Sequence, residues 1–154
     1  MFALGTAFGA PARARSGLPY QPMQASSYCM DVPTSPYYNR IVDARTVGSA
    51  AVADSTEPMR LDLRDATDIR YQQGFVIAHN PQNIAGRGSC IFAHLWRQPG
   101  EAAAGCTAMT AEHMQALLAW LRPREQPRFV LLPRAEYQRL QASWQLPALD
   151  GVAR

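Results

Sequence analysis

Apolar positions along the chain form three short β-prone runs and one helical stripe, separated by stretches dense in proline and glycine. Gly74-Phe-Val-Ile-Ala-His79 is the first run and closes on the turn sequence Asn80-Pro81-Gln82-Asn83. Ser89-Cys-Ile-Phe-Ala-His-Leu-Trp96, entered through Gly86-Arg87-Gly88, is the second, and Arg128-Phe-Val-Leu-Leu132 the third. Each predicts a strand. Met114, Leu117, Leu118 and Leu121 recur at i, i+3, i+4 and i+7. That period predicts a helix over 110–121, capped by Thr110 and stopped by Pro123. A shorter helix is predicted from Pro133 to Trp144, before Pro147. Residues 1–9 are apolar from the start and broken by Gly5 and Gly9, which predicts the end of a strand and a turn. Phe2, Leu4 and Phe8 fall there at even spacing, so a regular strand would turn all three to one face.

Residues 10–60 read differently. Pro11, Gly17, Pro19, Pro22, Pro33, Pro36 and Gly48 are too much punctuation for a regular helix or a central strand. Tyr20, Tyr28, Tyr37, Tyr38 and Asn39 lie among them, which predicts a long ordered loop forming one wall of a site. Segment 47–60 is the expected flexible loop. The fold class expected from the whole pattern is mainly β with α, a sandwich-like sheet assembly with a helix beside it.

A chain of 154 residues at 47% hydrophobic has enough apolar surface for one domain with its own core, and is too short for two. A charged fraction of 18% argues against a long charged coiled coil and a solvated disordered tail. The net charge is +3 and all 15 basic residues are arginines, spread from Arg13 to Arg154. That distribution points to no nucleic-acid ligand. Nor is there an apolar run of ~20 residues that would make an integral membrane segment. Three cysteines, Cys29, Cys90 and Cys106, without CxxC spacing, encode neither a disulfide framework nor a zinc ribbon. At least one must remain a free thiol. Cys90, beside Ile91 and Phe92, reads as an inert buried thiol, and Cys29 as an incidental one. Trp96, Trp120 and Trp144 read as buried or half-buried anchors.

Cys106 is the candidate for chemistry. Gly105 precedes it and permits close approach of a ligand to the backbone. The expected helix starts four residues later, where its dipole can favour a thiolate. His94 stands upstream at the end of an expected strand, and a thiol with an imidazole in reach is the minimal activated nucleophile. A buried, inert cysteine is the alternative. His79 and His113 would complete a ligand set with His94 and Cys106, but their spacing matches no zinc signature, so no metal and no cofactor are expected.

The segment Gly88-Ser-Cys-Ile-Phe-Ala-His-Leu-Trp-Arg97, followed by Ala104-Gly-Cys-Thr-Ala-Met109, resembles the core of the L,D-transpeptidase (YkuD-type) catalytic domain. It is closest to the branch with a GSxIFxHxW…AGCxAM motif. Leu18-Pro-Tyr-Gln-Pro22, Ser35-Pro-Tyr-Tyr-Asn-Arg40 and Val42-Asp43 are similar to that branch's upstream signature. Leu117–Leu121 and Phe129–Leu132 are similar to its helix and last strand. The resemblance implies an L,D-transpeptidase-like β-sandwich with a helix after the nucleophile. It implies that Cys106 is the nucleophile and His94 its base, with the backbone of Gly105 and Cys106 forming the oxyanion site. The substrates would be peptidoglycan stem tetrapeptides, with D-alanine released and a thioester resolved by an amine. Hydrolysis of the same acyl-enzyme, an L,D-carboxypeptidase activity, is one alternative. A non-catalytic cell-wall-binding domain is another, supported by Ala104 where the family usually carries a hydroxyl and by the absence of the strands that usually precede the domain. Arg97, Ser89, Tyr38 and Asn39 are the candidate substrate-binding residues.

Peptidoglycan as substrate implies an exported or periplasmic protein, although residues 1–30 carry no export signal. The expected organisation is a single domain over 1–147, lacking the strands that usually precede it, and a tail over 148–154. On that expectation an unpaired edge near Phe2, Leu4 and Phe8 would invite association. The pattern leaves the oligomeric state open.

Overall fold

The apolar start of the chain becomes the interior of a sheet. In the computed structural model, which describes residues 1–149, β1 (Phe2–Gly9) is the longest strand. The chain continues through β2 (Tyr20–Pro22), β3 (Ser27–Cys29), β4 (Ile41–Asp43), a short helix α1 (Ala44–Val47) and β5 (Glu57–Pro58). Then follow β6 (Gln73–Ala78), β7 (Phe92–Leu95), β8 (Thr107–Met109), α2 (Ala111–Trp120), β9 (Arg128–Phe129) and α3 (Arg134–Leu140). The result is a mixed α/β fold with two sheets and three α-helices among the described residues.

One sheet has the order β2-β1-β6-β7-β8, with β9 joining the start of β1. The other is β4-β3-β5. β1 is therefore paired on both sides and is not an edge. Its register against β6 shifts between Leu4, opposite Ile77, and Ala7, opposite Phe75. Three residues of β1 thus span two of β6, and this bulge breaks the strand's alternation. The expected single face of Phe2, Leu4 and Phe8 is corrected accordingly. Leu4 packs with Ala7 under α2, Phe8 is fully buried on the opposite face, and Phe2 alone is exposed.

Two cores result, one on each face of the larger sheet. Ala7, Phe75, Ile77, Ala93 and Leu95 meet Met114, Leu118 and Leu121 of α2 and its end. Thr110 caps α2 as expected, accepting the His113 N–H at 3.2 Å. Trp120, expected as an anchor, points away from this core and is 70% exposed. On the other face Phe8, Tyr71 and Phe92 meet Met23, Cys29 and Met59 around the smaller sheet. The three aromatic rings pack edge to face, with centroids 5.1–6.0 Å apart.

Other boundaries differ from the sequence expectation. The run at 89–96 becomes a strand only from Phe92, because Cys90 is held at φ 57, outside the β region. The run at 128–132 contributes two strand residues, and the last helix ends at Leu140 in a turn. Segment 10–60, read as loop, carries the whole second sheet. Within 47–60, read as flexible, a 3-10 turn over Ser49–Val52 and β5 are both hydrogen-bonded in place.

Cys29 and Cys90 form a disulfide, which corrects both the inert and the incidental assignments. The bond ties β3 of the small sheet to the segment entering β7, and closes a ring with a sequence separation of 61. Spacing could not announce it, since the pair meets only when the two sheets pack. No helix among the described residues is long and apolar enough to cross a membrane. Residues 150–154 of the expected tail lie outside the described residues.

Candidate functional site

The parallel pairing of β7 with β8 creates the site. Ala93, His94 and Leu95 stand opposite Thr107, Ala108 and Met109, so the chain must return to the start of β7 before β8 begins. The returning segment, 96–106, delivers Cys106 beside Phe92. Alternation then sorts the side chains. Ala93, Leu95 and Met109 face α2, while Phe92, His94, Ala108 and Cys106 face the small sheet. His94 and Cys106 are thus on one face, two residues along and one strand across, a step of roughly 8 Å between backbones from ordinary sheet spacings.

Both line a cavity of about 500 Å³, open on one side to solvent. Its floor is β7 and β8. One wall is the 96–106 segment, with Trp96, Arg97, Glu101 and Ala104; the other is Glu57, Arg70 and Tyr71. Cys106 is the free cysteine among the described residues and is half-buried. Its Sγ receives the Phe92 N–H at 3.3 Å and directs its own proton to the Cys90 carbonyl at 3.6 Å. His94 is buried, with Nδ1 2.7 Å from the Leu95 carbonyl. Nδ1 therefore carries the proton, and Nε2 is left as the proton acceptor.

Burial raises the Cys106 thiol above its usual range, opposed by the Phe92 N–H and reinforced by the Glu57 charge. Burial also lowers the His94 imidazole, opposed by the Leu95 carbonyl. Both shifts favour the neutral forms. The expected thiolate at the start of α2 is not what the fold builds, because α2 lies on the other face of the sheet. The surroundings thus favour a neutral thiol and a neutral imidazole over the ion pair.

Gly105 has φ 88, and a Cβ there would lie 3.1 Å from Ile91 Cδ1. Its N–H is committed to the Ala103 carbonyl at 3.0 Å. Of the two residues expected to form an oxyanion site, Gly105 has its N–H committed elsewhere, which leaves the Cys106 N–H as the candidate donor. Ser89 and Arg97 line the cavity. The Arg97 guanidinium, expected to hold a substrate carboxylate, is engaged in a two-point ion pair with Glu101.

Tyr38 and Asn39 lie outside the cavity. Tyr38 is buried. Asn39, at φ 60, donates to the Asn80 carbonyl at 2.9 Å and to Asn83 Oδ1 at 3.1 Å. It accepts the Cys90 N–H at 2.9 Å. Asn39 therefore fixes the backbone of Cys90, whose carbonyl receives the Cys106 thiol; it positions the site without lining it. His79 and His113 stand apart from the cavity. Among the described residues no group of three His, Cys, Asp or Glu side chains could hold a metal ion.

Sequence reasoning missed Tyr71, Glu57 and Arg70. The Tyr71 ring packs edge-on against His94, centroids 5.5 Å apart, and its hydroxyl donates to Glu57. Arg70 is paired with the buried Asp68 at 2.6 Å. An Asp and an Arg two residues apart recur as ion pairs at 43 and 45, 60 and 62, and 68 and 70, the one sequence signal that could have flagged Arg70. Nothing in the spacing of Glu57 and Tyr71 could have joined them. No family model, curated protein or solved structure matches this chain.

Proposed function

We propose that the chain is an L,D-transpeptidase-like cysteine acyltransferase acting on peptidoglycan stem tetrapeptides. The observation that carries this reading is the free thiol of Cys106 sharing one cavity and one sheet face with an imidazole whose Nε2 is free to take a proton. The motif residues around both side chains support the choice of substrate class by resemblance.

His94 Nε2 takes the Cys106 proton as Sγ attacks the carbonyl, so the pair need not store a thiolate at rest. The Cys106 N–H is assigned as donor to the developing oxyanion. The imidazolium then returns its proton to the amine of D-alanine, which leaves, and a thioester remains. An amine of a second stem resolves it: the C–N bond forms, the C–S bond breaks, and Sγ is reprotonated through His94. The Phe92 N–H, 3.3 Å from Sγ, stabilises the departing sulfur. An exported location belongs to the same proposal, and the Cys29–Cys90 disulfide supports it, since such bonds persist in oxidising compartments.

Incubation with tetrapeptide muropeptides, with products identified by mass, tests the proposal. Cross-linked dimers and released D-alanine are expected, and Cys106→Ser should abolish both. Tripeptide alone would make the protein a carboxypeptidase. Full turnover by Cys106→Ser would remove the cysteine mechanism.

A further inference from the structure

The charges lining the cavity are not balanced. Arg70 is neutralised by Asp68 and Arg97 by Glu101. Asp31 is bonded by the Thr56 N–H and hydroxyl. Glu57 has no arginine partner among the described ion pairs; its carboxylate is held by the Tyr71 hydroxyl alone among side chains. Yet it lies in the wall of the same cavity as Cys106 and its charge acts on that thiol, while Tyr71, which holds it, packs edge-on against the His94 ring. A carboxylate kept in a half-buried wall without a direct ion pair, reached by Arg70 only through space and opposed by Asp31, and sharing a cavity with the reacting sulfur, is complementary to a cationic substrate group.

We propose that Glu57, held by Tyr71, receives the ammonium of the acceptor amine, and so directs the acyl-enzyme toward transfer and away from hydrolysis. This rests on the acyl-transfer reading above. The proton count is consistent with it. Of the three protons on the acceptor ammonium, one stays on the new amide nitrogen. One passes through His94 to the Cys106 sulfur as the C–S bond breaks. The third leaves by way of the Glu57 carboxylate to water at the cavity mouth. Burial raises the Glu57 carboxyl, with the Tyr71 hydroxyl opposing, and an ammonium in contact removes that penalty.

The test separates acylation from resolution. With a tetrapeptide donor, Glu57→Gln should form the Cys106 acyl-enzyme no more slowly than the wild type, since losing the Glu57 charge only eases ionisation of the thiol. The ratio of cross-linked dimer to free tripeptide should fall roughly tenfold or more, the usual effect of losing one hydrogen bond to a charge. Hydroxylamine, uncharged at neutral pH, should resolve both acyl-enzymes equally well. Glu57→Asp should restore most of the transfer. An unchanged ratio in Glu57→Gln would overturn the role of Glu57, whereas absence of any acyl-enzyme in the wild type would overturn the acyl-transfer reading itself. Should Glu57→Gln fail to fold, salt decides with the wild type. Raising ionic strength should increase the acceptor KM several-fold and leave acylation unaffected; an acceptor KM independent of salt would overturn the proposal.

Discussion

At the scale of single residues, the pairing of a raised thiol with a lowered imidazole has a measurable consequence. Without substrate, Cys106 should react slowly with iodoacetamide at neutral pH and accelerate only above the ordinary thiol value of 9.0. A thiolate already formed near pH 6 would contradict the neutral pair. On the proposed mechanism substrate acylation should behave differently, since it would draw on neutral His94. Its acid limb should fall below the ordinary imidazole value of 6.5, because burial disfavours the imidazolium and the base is lost only as pH drops through the lowered value. Gly105→Ala strains a backbone at φ 88 and pushes a Cβ against Ile91, so it should cut acylation while sparing the fold. Melting temperature and acyl-enzyme rate, measured together, distinguish the two effects.

At the scale of elements, the site depends on a segment remote from it. Asn39 bridges the 80–83 turn and Cys90, and Cys90 in turn receives the Cys106 thiol. Asn39→Ala leaves the Cys90 N–H without its partner, and should lower the acylation rate roughly tenfold by loosening the sulfur's surroundings. Equal rates in the variant and wild type would show that Cys90 is held adequately by its disulfide. Periodicity made α2, β6 and the core of β7 legible, because each has a local apolar pattern long enough to carry a period. It failed where the cause is not local. β5 is two residues long and exists because β3 lies beside it; Phe8 faces away from Leu4 because of a bulge no alternation rule records. The Cys106–His94 pair was legible because their segments are adjacent strands close in sequence. Glu57 and Tyr71 were not, because the small sheet brings them there.

At the scale of the molecule, two sheets share one aromatic core, and the Cys29–Cys90 bond crosses between them. Closing a loop of this length removes roughly 4 kcal/mol of unfolded-state entropy. Replacing both cysteines with serine should therefore lower Tm by on the order of 10 °C in a domain of this size. An unchanged Tm would mean that the sheets hold together without the bond. The same variant should lose acylation activity at temperatures where the wild type keeps it, since Cys90 also forms part of the site.

Every proposed step depends on Cys106 as a nucleophile that His94 activates. Intact mass after exposure to a carbapenem tests it most directly, since this class of acylating agent needs the thiol, the base and the oxyanion donor at once. One stable adduct per chain, mapped to Cys106 and lost in both Cys106→Ser and His94→Gln, is the predicted result. An unmodified mass after long exposure of the folded protein would contradict the account.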